Sequence, residues 1–175
     1  MRKSIAGYFQ SRWAGILARC RELPSESGNA VVELALVVSF FGAPLMFATV
    51  DLSTLFYDSI EISNASHSAA MYGMFSASHA GQTSTMTTIA QADASDFVAA
   101  NVTVTPTIFY ACSNAQGGTQ YSTSSAASSA CTGSGNQALE FVQVVVSAPV
   151  TLPFSCCGLP ASPSLSSTSV MQVEE

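Results

Sequence analysis

The stretch that decides the fold runs from Ala30 to Val50 and has the sequence AVVELALVVSFFGAPLMFATV. Its 21 residues contain one charged side chain, Glu33. A helix needs about 20 consecutive apolar residues to cross the hydrocarbon core of a bilayer. The apolar core of a cleaved secretory signal is usually shorter, about 7–15 residues, and ends in small residues. We therefore predict a retained transmembrane helix over residues 30–50.

The charged residues are few and unevenly distributed. They make up 9% of the chain, against about 25% in an average soluble domain, and the mean hydropathy is +0.35. All five Lys and Arg residues lie within the first 21 positions. Short basic flanking segments stay on the cytoplasmic side, so we expect a cytoplasmic N-terminus and an external C-terminal body. A body without basic side chains also excludes nucleic-acid binding, which depends on phosphate contacts.

The predicted helix continues beyond the apolar run. Neither Gly nor Pro occurs between Pro44 and Gly73, so we expect one long helix over residues 29–80. Pro44 removes a backbone donor and predicts a local kink.

Three carboxylates fall on one side of this helix. Asp51, Asp58 and Glu61 lie within about 80° of each other at 3.6 residues per turn. Such a stripe is usually a solvated face, and this is the interpretation that the sequence favours.

The remaining residues, 81–175, predict a small α+β head. Its Ser/Ala/Gly/Thr-rich stretch at 113–137 has almost no large apolar side chains and predicts a flexible surface loop. β-branched and alternating segments elsewhere predict antiparallel strands, the last two forming a long hairpin. The expected elements are a helix at Thr85–Ala100 and strands near residues 101–110, 139–150 and 164–173.

The cysteines are consistent with an oxidising compartment outside the membrane. Cys20 lies in the basic segment and should stay reduced, whereas the other four are external and allow three pairings. A Cys112–Cys131 bond would close the flexible loop and is the most economical choice. Cys156 and Cys157 are adjacent, so they form a strained vicinal bridge or remain free. No histidine lies near any cysteine in the sequence, which disfavours a metal site.

Catalysis is not indicated by any motif. His67 and His79 lack an acid and a nucleophile at a spacing that a triad or metal site needs. Asp93 and Asp96 are three apart on a predicted helix and are most simply solvated. A glycine-rich phosphate loop is also missing from the sequence. We therefore expect no enzyme activity and no cofactor.

The segment Ser27 to Glu33 joins the basic and apolar regions. A carboxylate near the start of a membrane helix is costly unless something pairs with it, and is a functional candidate by default. A glycine just before the apolar run, with a glutamate five residues later, suggests a processing site.

Residues 26–78 resemble the TadE-like family, the minor pilins or pseudopilins of tight-adherence (Tad/Flp) type IV pili. The family pattern is Gly-x-Ala-x-Val-Glu-Phe-Ala-Leu, then an apolar run and an acidic residue. Leu34 stands where the family often has Phe or Tyr. Two C-terminal segments, Val142 to Pro149 and Ser167 to Glu174, look like the family's closing strands. The residues that match the pattern are Gly28, Ala30, Val32, Glu33, Ala35, Leu36 and Asp51.

The resemblance implies a processed membrane precursor. An aspartyl prepilin peptidase would cut the Gly28–Asn29 bond, removing residues 1–28 as a cytoplasmic leader. Glu33 would become the fifth mature residue and would act in assembly by meeting an N-terminal amine. The implied partners are the peptidase, other pilin or minor pilin subunits, an inner-membrane assembly platform and membrane lipid. The implied location is the bacterial inner membrane with a periplasmic head, or the base or tip of an extracellular pilus.

Two other functions are compatible with the same residues. One is an unprocessed signal-anchored membrane protein whose periplasmic head is a binding or scaffold module. The other is a surface adhesin subunit, for which the loop at 113–137 would be suitable. The start of the mature chain separates the processed pilin from the signal anchor.

Overall fold

The computed structural model of the protein describes residues 25–114, 118–155, 158 and 160–174. The chain separates into two compact units, which divide between Phe47 and Ala48. The predicted α+β class is confirmed, since a long N-terminal helix is followed by short helices and a three-stranded antiparallel sheet.

Helical structure in the first unit has one local irregularity. Helix α1 covers Ser25–Val37 and is followed by a π-helical turn at Val38–Gly42. Helix α2, Ala43–Met74, begins directly after that turn. Pro44 has no backbone N–H, and its ring would clash with the carbonyl of residue 40 in a regular α-helix. A π-helical turn before the proline accommodates the missing donor and the ring, so the irregularity predicted near Pro44 is a π-turn.

The prediction of one continuous helix to residue 80 is wrong, because the helix is broken before that residue. α2 ends at Met74, and a separate short helix, α3, covers Ala77–Ala80. Ser76 between them has extended backbone, and its side chain accepts a hydrogen bond from the His79 amide. This N-cap starts a new helix where composition alone indicated continuity.

The second long helix is shorter than predicted. Helix α4 covers Thr83–Asp93 rather than Thr85–Ala100. After Asp93 the chain turns, and a single 3₁₀ turn follows at Ala99–Asn101. The amide of Asp96 donates to Glu61 Oε1 over 2.8 Å. The Glu61 carboxylate on α2 thus accepts the hydrogen bond of the Asp96 amide, which in a longer α4 would be donated to a carbonyl of the same helix.

Three strands form the sheet in the order β1-β2-β3. They cover Thr103–Cys112, Ala138–Pro149 and Ser164–Gln172. Both pairings are antiparallel, with Val144 opposite Pro106 on one side and Ser169 on the other. The predicted hairpin between the last two strands is therefore confirmed.

One face of the sheet packs against the helices to form the core. Val142, Val144 and Val146 alternate along β2 and are fully buried, as expected for side chains on one face of a strand. Gly73 of α2 lies against β2, because a Cβ there would come within 3.0 Å of both Met86 and Val142. The core residues contributed by the helices and by the residue directly after α4 are mostly small, and they are Ile62, Ala65, Ala69, Ala70, Ala80, Met86, Ala90 and Ala94.

The Ser/Ala-rich stretch at 113–137 is only partly a loop. Helix α5 covers Ser124–Ala130, and the side chain of Thr123 accepts from the Ala126 amide at its N-terminus. The predicted disulfide joins Cys112 to Cys131, with Cα atoms 5.4 Å apart. The expectation of an unstructured loop is wrong for α5, because its cap and the disulfide hold a short helix that composition did not indicate. The predictions for Cys20, Cys156 and Cys157 lie outside the described residues.

Candidate processing and assembly segment

The sequence-predicted processing residues lie on the exposed surface of α1. Gly28, Asn29 and Glu33 belong to one helical segment, and all three are exposed. A Cβ built on Gly28 would meet nothing within 4 Å. The space around this position is therefore open, and Gly28 is not required by packing within the described residues.

Glu33 is set among exposed apolar side chains. Val32 and Leu34 on either side of it are 58% and 64% exposed. No Lys or Arg occurs after residue 21. Any cation that pairs with this carboxylate must therefore come from the N-terminal segment, a chain terminus or another molecule.

Within the described residues, the apolar run is not buried by other parts of the protein. Among the described residues, one helix, Gly28–Met74, is long and apolar enough to cross a membrane, and no residue of its most apolar window is buried. Phe40 is 75% exposed and Met46 71%. Side chains of this kind are usually buried in soluble proteins, so their exposure here is consistent with a helix that crosses a membrane.

Asp51 is a buried residue, which the sequence did not predict. Its side chain is fully buried, and its Oδ1 accepts a hydrogen bond from the Phe154 amide over 3.1 Å. The predicted solvated acidic face is therefore wrong at this position. Because Phe154 lies in the connection between β2 and β3, Asp51 attaches that connection to α2.

The other two carboxylates of the stripe are half-buried and face the turn after α4. Glu61 Oε1 accepts from the amide of Asp96, while its Oε2 is buried without a hydrogen-bond partner within the described residues. Burial raises the pKa of Asp58 above its usual value, and the negative charge of Asp96 raises it further. The stripe thus contacts head segments rather than water alone.

A signal for this arrangement was present in the sequence. At 100° per residue, Ile62, Ala69 and Gly73 lie within about 40° of Asp51 on α2. All three are buried against the head. A row of apolar residues, two of them small, on one helix face favours close packing, and Asp51 extends that row.

The two histidines and the carboxylate Asp93 lie in different local settings. His67 is exposed. His79 Nδ1 lies 2.6 Å from Ser76 Oγ, and the ring makes an edge contact with Tyr72. Asp93 is exposed at the end of α4. Within the described residues, no group of three or more His, Cys, Asp or Glu side chains is placed to hold a metal ion.

Comparison with known proteins identifies the helical segment. Residues 28–71 match the family model described as TadE-like protein. No curated protein and no solved structure has significant similarity to the chain. The matched segment begins at Gly28 and contains both Glu33 and Asp51, and the resemblance predicted from the sequence is confirmed over these residues.

Proposed function

Starting from the TadE-like segment at residues 28–71, we propose that the chain is a minor pilin, or pseudopilin, that takes part in assembly of a tight-adherence pilus. In this proposal a prepilin peptidase cuts the Gly28–Asn29 bond. The mature chain then begins at Asn29 and has Glu33 as its fifth residue. The pilus would serve adhesion or secretion.

The observation that carries this proposal is the start of the family match at Gly28 itself. The same residue is exposed, and a Cβ atom there would meet no atom of the described residues within 4 Å. A peptidase needs an accessible bond, and a glycine without a packing role is free to be selected for processing.

Cleavage would also change the charge of the chain. The first 28 residues contain all five Lys and Arg residues and two of the eleven acidic ones. The mature chain would have no basic side chain, and the amine of Asn29 would be its one strong cation at neutral pH. Glu33 is exposed on an apolar surface, where an unpaired carboxylate is costly in a bilayer. Pairing Glu33 with such an amine would offset that cost during assembly.

The proposed location and partners follow from the same segment. The basic N-terminal residues favour a cytoplasmic N-terminus and a periplasmic head. The exposed apolar run would contact membrane lipid before assembly, and other pilin or minor pilin subunits afterwards. An inner-membrane assembly platform would transfer the chain between these environments. No enzymatic role is proposed.

N-terminal sequencing and intact-mass measurement of the membrane-extracted chain test the processing step. We expect a mature chain that begins at Asn29 in a host with the prepilin peptidase, and a full-length chain in a peptidase-null host. Gly28→Phe should also block processing. The open space at Gly28 means that this substitution should leave the fold unchanged, and Gly42→Ala is a matched control.

Full-length protein in the peptidase-containing host would contradict the proposal and favour the signal-anchored alternative. A second experiment tests the assembly role. Glu33→Ala should insert into the membrane normally but lower the amount of assembled pilus, whereas Ser39→Ala, another exposed polar position in the run, should not. Normal pilus assembly by Glu33→Ala would exclude this role for the carboxylate.

A further inference from the structure

The sheet face opposite the helical core has a groove. Phe109 of β1 and Phe141 of β2 are directly paired across the strands, and both belong to the odd-numbered positions that face away from the buried valines. Their rings are nearly parallel, with an interplanar angle of 12° and centroids 5.4 Å apart. The two rings line a cavity of about 480 Å³, a volume within the range of small-ligand sites.

The groove combines apolar and hydrogen-bonding side chains. Val170 of β3 extends the apolar surface, and the carboxamides of Gln120 and Gln172 lie at its walls. Neither carboxamide makes a hydrogen bond within the part of the chain that the structure describes. Both therefore have free donors and acceptors to offer a ligand.

A second, smaller cavity continues the groove along β1. It has a volume of about 260 Å³ and shares Phe109 and Gln120 with the first. Thr107, Ser122 and Gln143 add hydroxyl and amide groups to its walls. The two cavities together form an elongated surface with aromatic rings in one part and neutral polar groups along it.

The wall of the groove is held in place by two constraints. Tyr121 forms an antiparallel bridge with Tyr110 of β1, with reciprocal backbone hydrogen bonds of 2.8 Å. The Cys112–Cys131 disulfide closes the following segment back onto the same strand. These contacts preorganise the position of Gln120, and preorganisation lowers the entropic cost of binding.

The charges restrict the class of ligand. The residues that line the two cavities carry no ionisable group other than the phenol of Tyr121. No Lys or Arg follows residue 21, so the head offers an anion no basic partner. Cations would be attracted to the carboxylates elsewhere on the head rather than to this neutral groove. A neutral ligand with both an apolar face and hydroxyl groups fits best.

We propose that this groove binds a neutral oligosaccharide. One face of a pyranose ring consists of C–H groups, which pack on the surface of an aromatic ring, while its edge carries hydroxyls that pair with carboxamides. The two phenylalanine rings would take the apolar face. Gln120 and Gln172 would bind the hydroxyl edge, and the second cavity would hold the adjoining sugar.

This inference does not depend on the proposed pilin function. A chain that is never cleaved at Gly28 would still present the groove, and a cleaved chain could lack sugar binding. N-terminal sequencing of the mature chain tests the pilin proposal, and sugar titration tests the groove proposal. Failure of one can therefore be distinguished from failure of the other.

Titration of the full-length chain with neutral sugars tests the proposal. The protein should be reconstituted in lipid nanodiscs, because glucoside and maltoside detergents carry sugar headgroups that would compete. Cellotetraose, maltotetraose and N,N′,N″-triacetylchitotriose are suitable probes, with tri-galacturonate as the anionic comparison. We expect saturable binding of at least one neutral sugar, measured by saturation-transfer NMR and calorimetry. Tri-galacturonate should bind more weakly.

Substitutions in the groove should weaken binding without unfolding the head. Phe141→Leu keeps an apolar side chain but removes the ring, and we expect roughly five- to tenfold weaker binding. Gln172→Ala removes an exposed carboxamide and should weaken binding by a similar factor. Thr168→Ala, on the same sheet face but away from both cavities, is the matched control and should bind normally.

Three results would overturn the proposal. The first is the absence of binding by every neutral sugar at millimolar concentration. The second is binding that Phe141→Leu and Gln172→Ala leave unchanged. The third is occupancy of the groove by something other than a sugar, either a second copy of the chain or an apolar probe such as octanol. In that case Phe141→Leu would reduce the self-association or the octanol binding, and the sugars would not compete with it.

Discussion

The apolar helix and the head treat the same residue types in opposite ways. Val31 in α1 is 67% exposed, whereas Val142, Val144 and Val146 in β2 are fully buried. The head supplies its own apolar environment by packing small helical residues onto one face of a sheet. The helical run has no such cover among the described residues.

The difference also appears in how polar groups are used. Where α2 packs on the head, buried or half-buried carboxylates accept hydrogen bonds from backbone amides of the head, as Asp51 does from Phe154 and Glu61 from Asp96. In the apolar run, Glu33 is exposed and has no basic residue of the head to meet. Asp51 and Glu61 thus attach α2 to backbone amides of the head, whereas Glu33 lies on an exposed apolar surface.

The largest expected effect comes from placing charge in the apolar run. Leu36→Arg combined with Phe40→Arg introduces two cations near the middle of the proposed span, at a cost of roughly 5–7 kcal/mol for membrane insertion. We expect the chain to disappear from the membrane fraction after carbonate extraction. The pair Thr103→Arg and Thr168→Arg, at exposed strand positions in the head, should be retained. If both double-Arg variants stayed in the membrane fraction equally, the apolar run would not be what holds the chain in the membrane.

Loss of the disulfide should be the next largest effect and should be confined to the head. Replacing Cys112 and Cys131 by Ser removes a bond between residues 19 apart, which is worth about 3 kcal/mol in the chain-entropy model. We expect a lower midpoint of thermal unfolding, measured by near-ultraviolet circular dichroism. Retention of the chain in the membrane fraction should be unchanged. Ser128→Ala in the same segment is the control. An unchanged midpoint in the double variant would show that the bond does not stabilise the head.

Removal of the buried carboxylate should have a smaller, localised effect. Asp51→Ala leaves the Phe154 amide without this acceptor, which costs about 1–3 kcal/mol. Hydrogen exchange should then become faster in the connection between β2 and β3. Asp51→Asn retains a side-chain oxygen at the same position and should exchange more slowly than the Ala variant. Identical exchange in the two variants would mean that the hydrogen bond is not what attaches this connection.

The smallest expected effect concerns pH. Asp58 has a pKa above the usual 3.8 in the folded protein, because burial and Asp96 disfavour its charged form. The folded head therefore binds this proton more tightly than the unfolded chain, so this group destabilises the head at neutral pH and ceases to do so as the pH falls through the raised pKa.

We accordingly expect Asp58→Asn to be slightly more stable than the wild type at pH 7, with the difference shrinking toward pH 4. Asp96→Asn should change stability in the same direction, since it removes the second cause of the shift. Parallel unfolding midpoints for wild type and Asp58→Asn across this pH range would contradict the assignment.

Much of the architecture was accessible from local patterns. The apolar run at 30–50, the hairpin of β2 and β3, and the Cys112–Cys131 bond are all predicted from the sequence. Each depends on residues whose period or spacing nearly determines the outcome. The prediction failed at the end of α4, where an acceptor on α2 takes the Asp96 amide. It also failed at the break near Ser76 and in the stretch that contains α5, where a side-chain N-cap that composition did not indicate begins a new helix.

The candidate segments show the same division. Gly28 and Glu33 were identified because charge and hydropathy change abruptly at that point. The groove of Phe109 and Phe141 was not identified, because its two rings are 32 positions apart and meet only through the register of β1 and β2. Asp51 was assigned to a solvated face, although the small residues on its side of α2 indicated a packed one.

By itself, the sequence determined which part of the chain requires an apolar surrounding, which side of the membrane its basic end favours, and where a processing site would lie. These properties depend on composition along a continuous stretch, so no folding is needed to express them. Only the tertiary structure decided that Asp51 is buried, that Glu61 ends α4 through Asp96, and that two phenylalanines line one groove. Those outcomes depend on strand register and on amides far away in the chain, whose positions exist only once the head has packed.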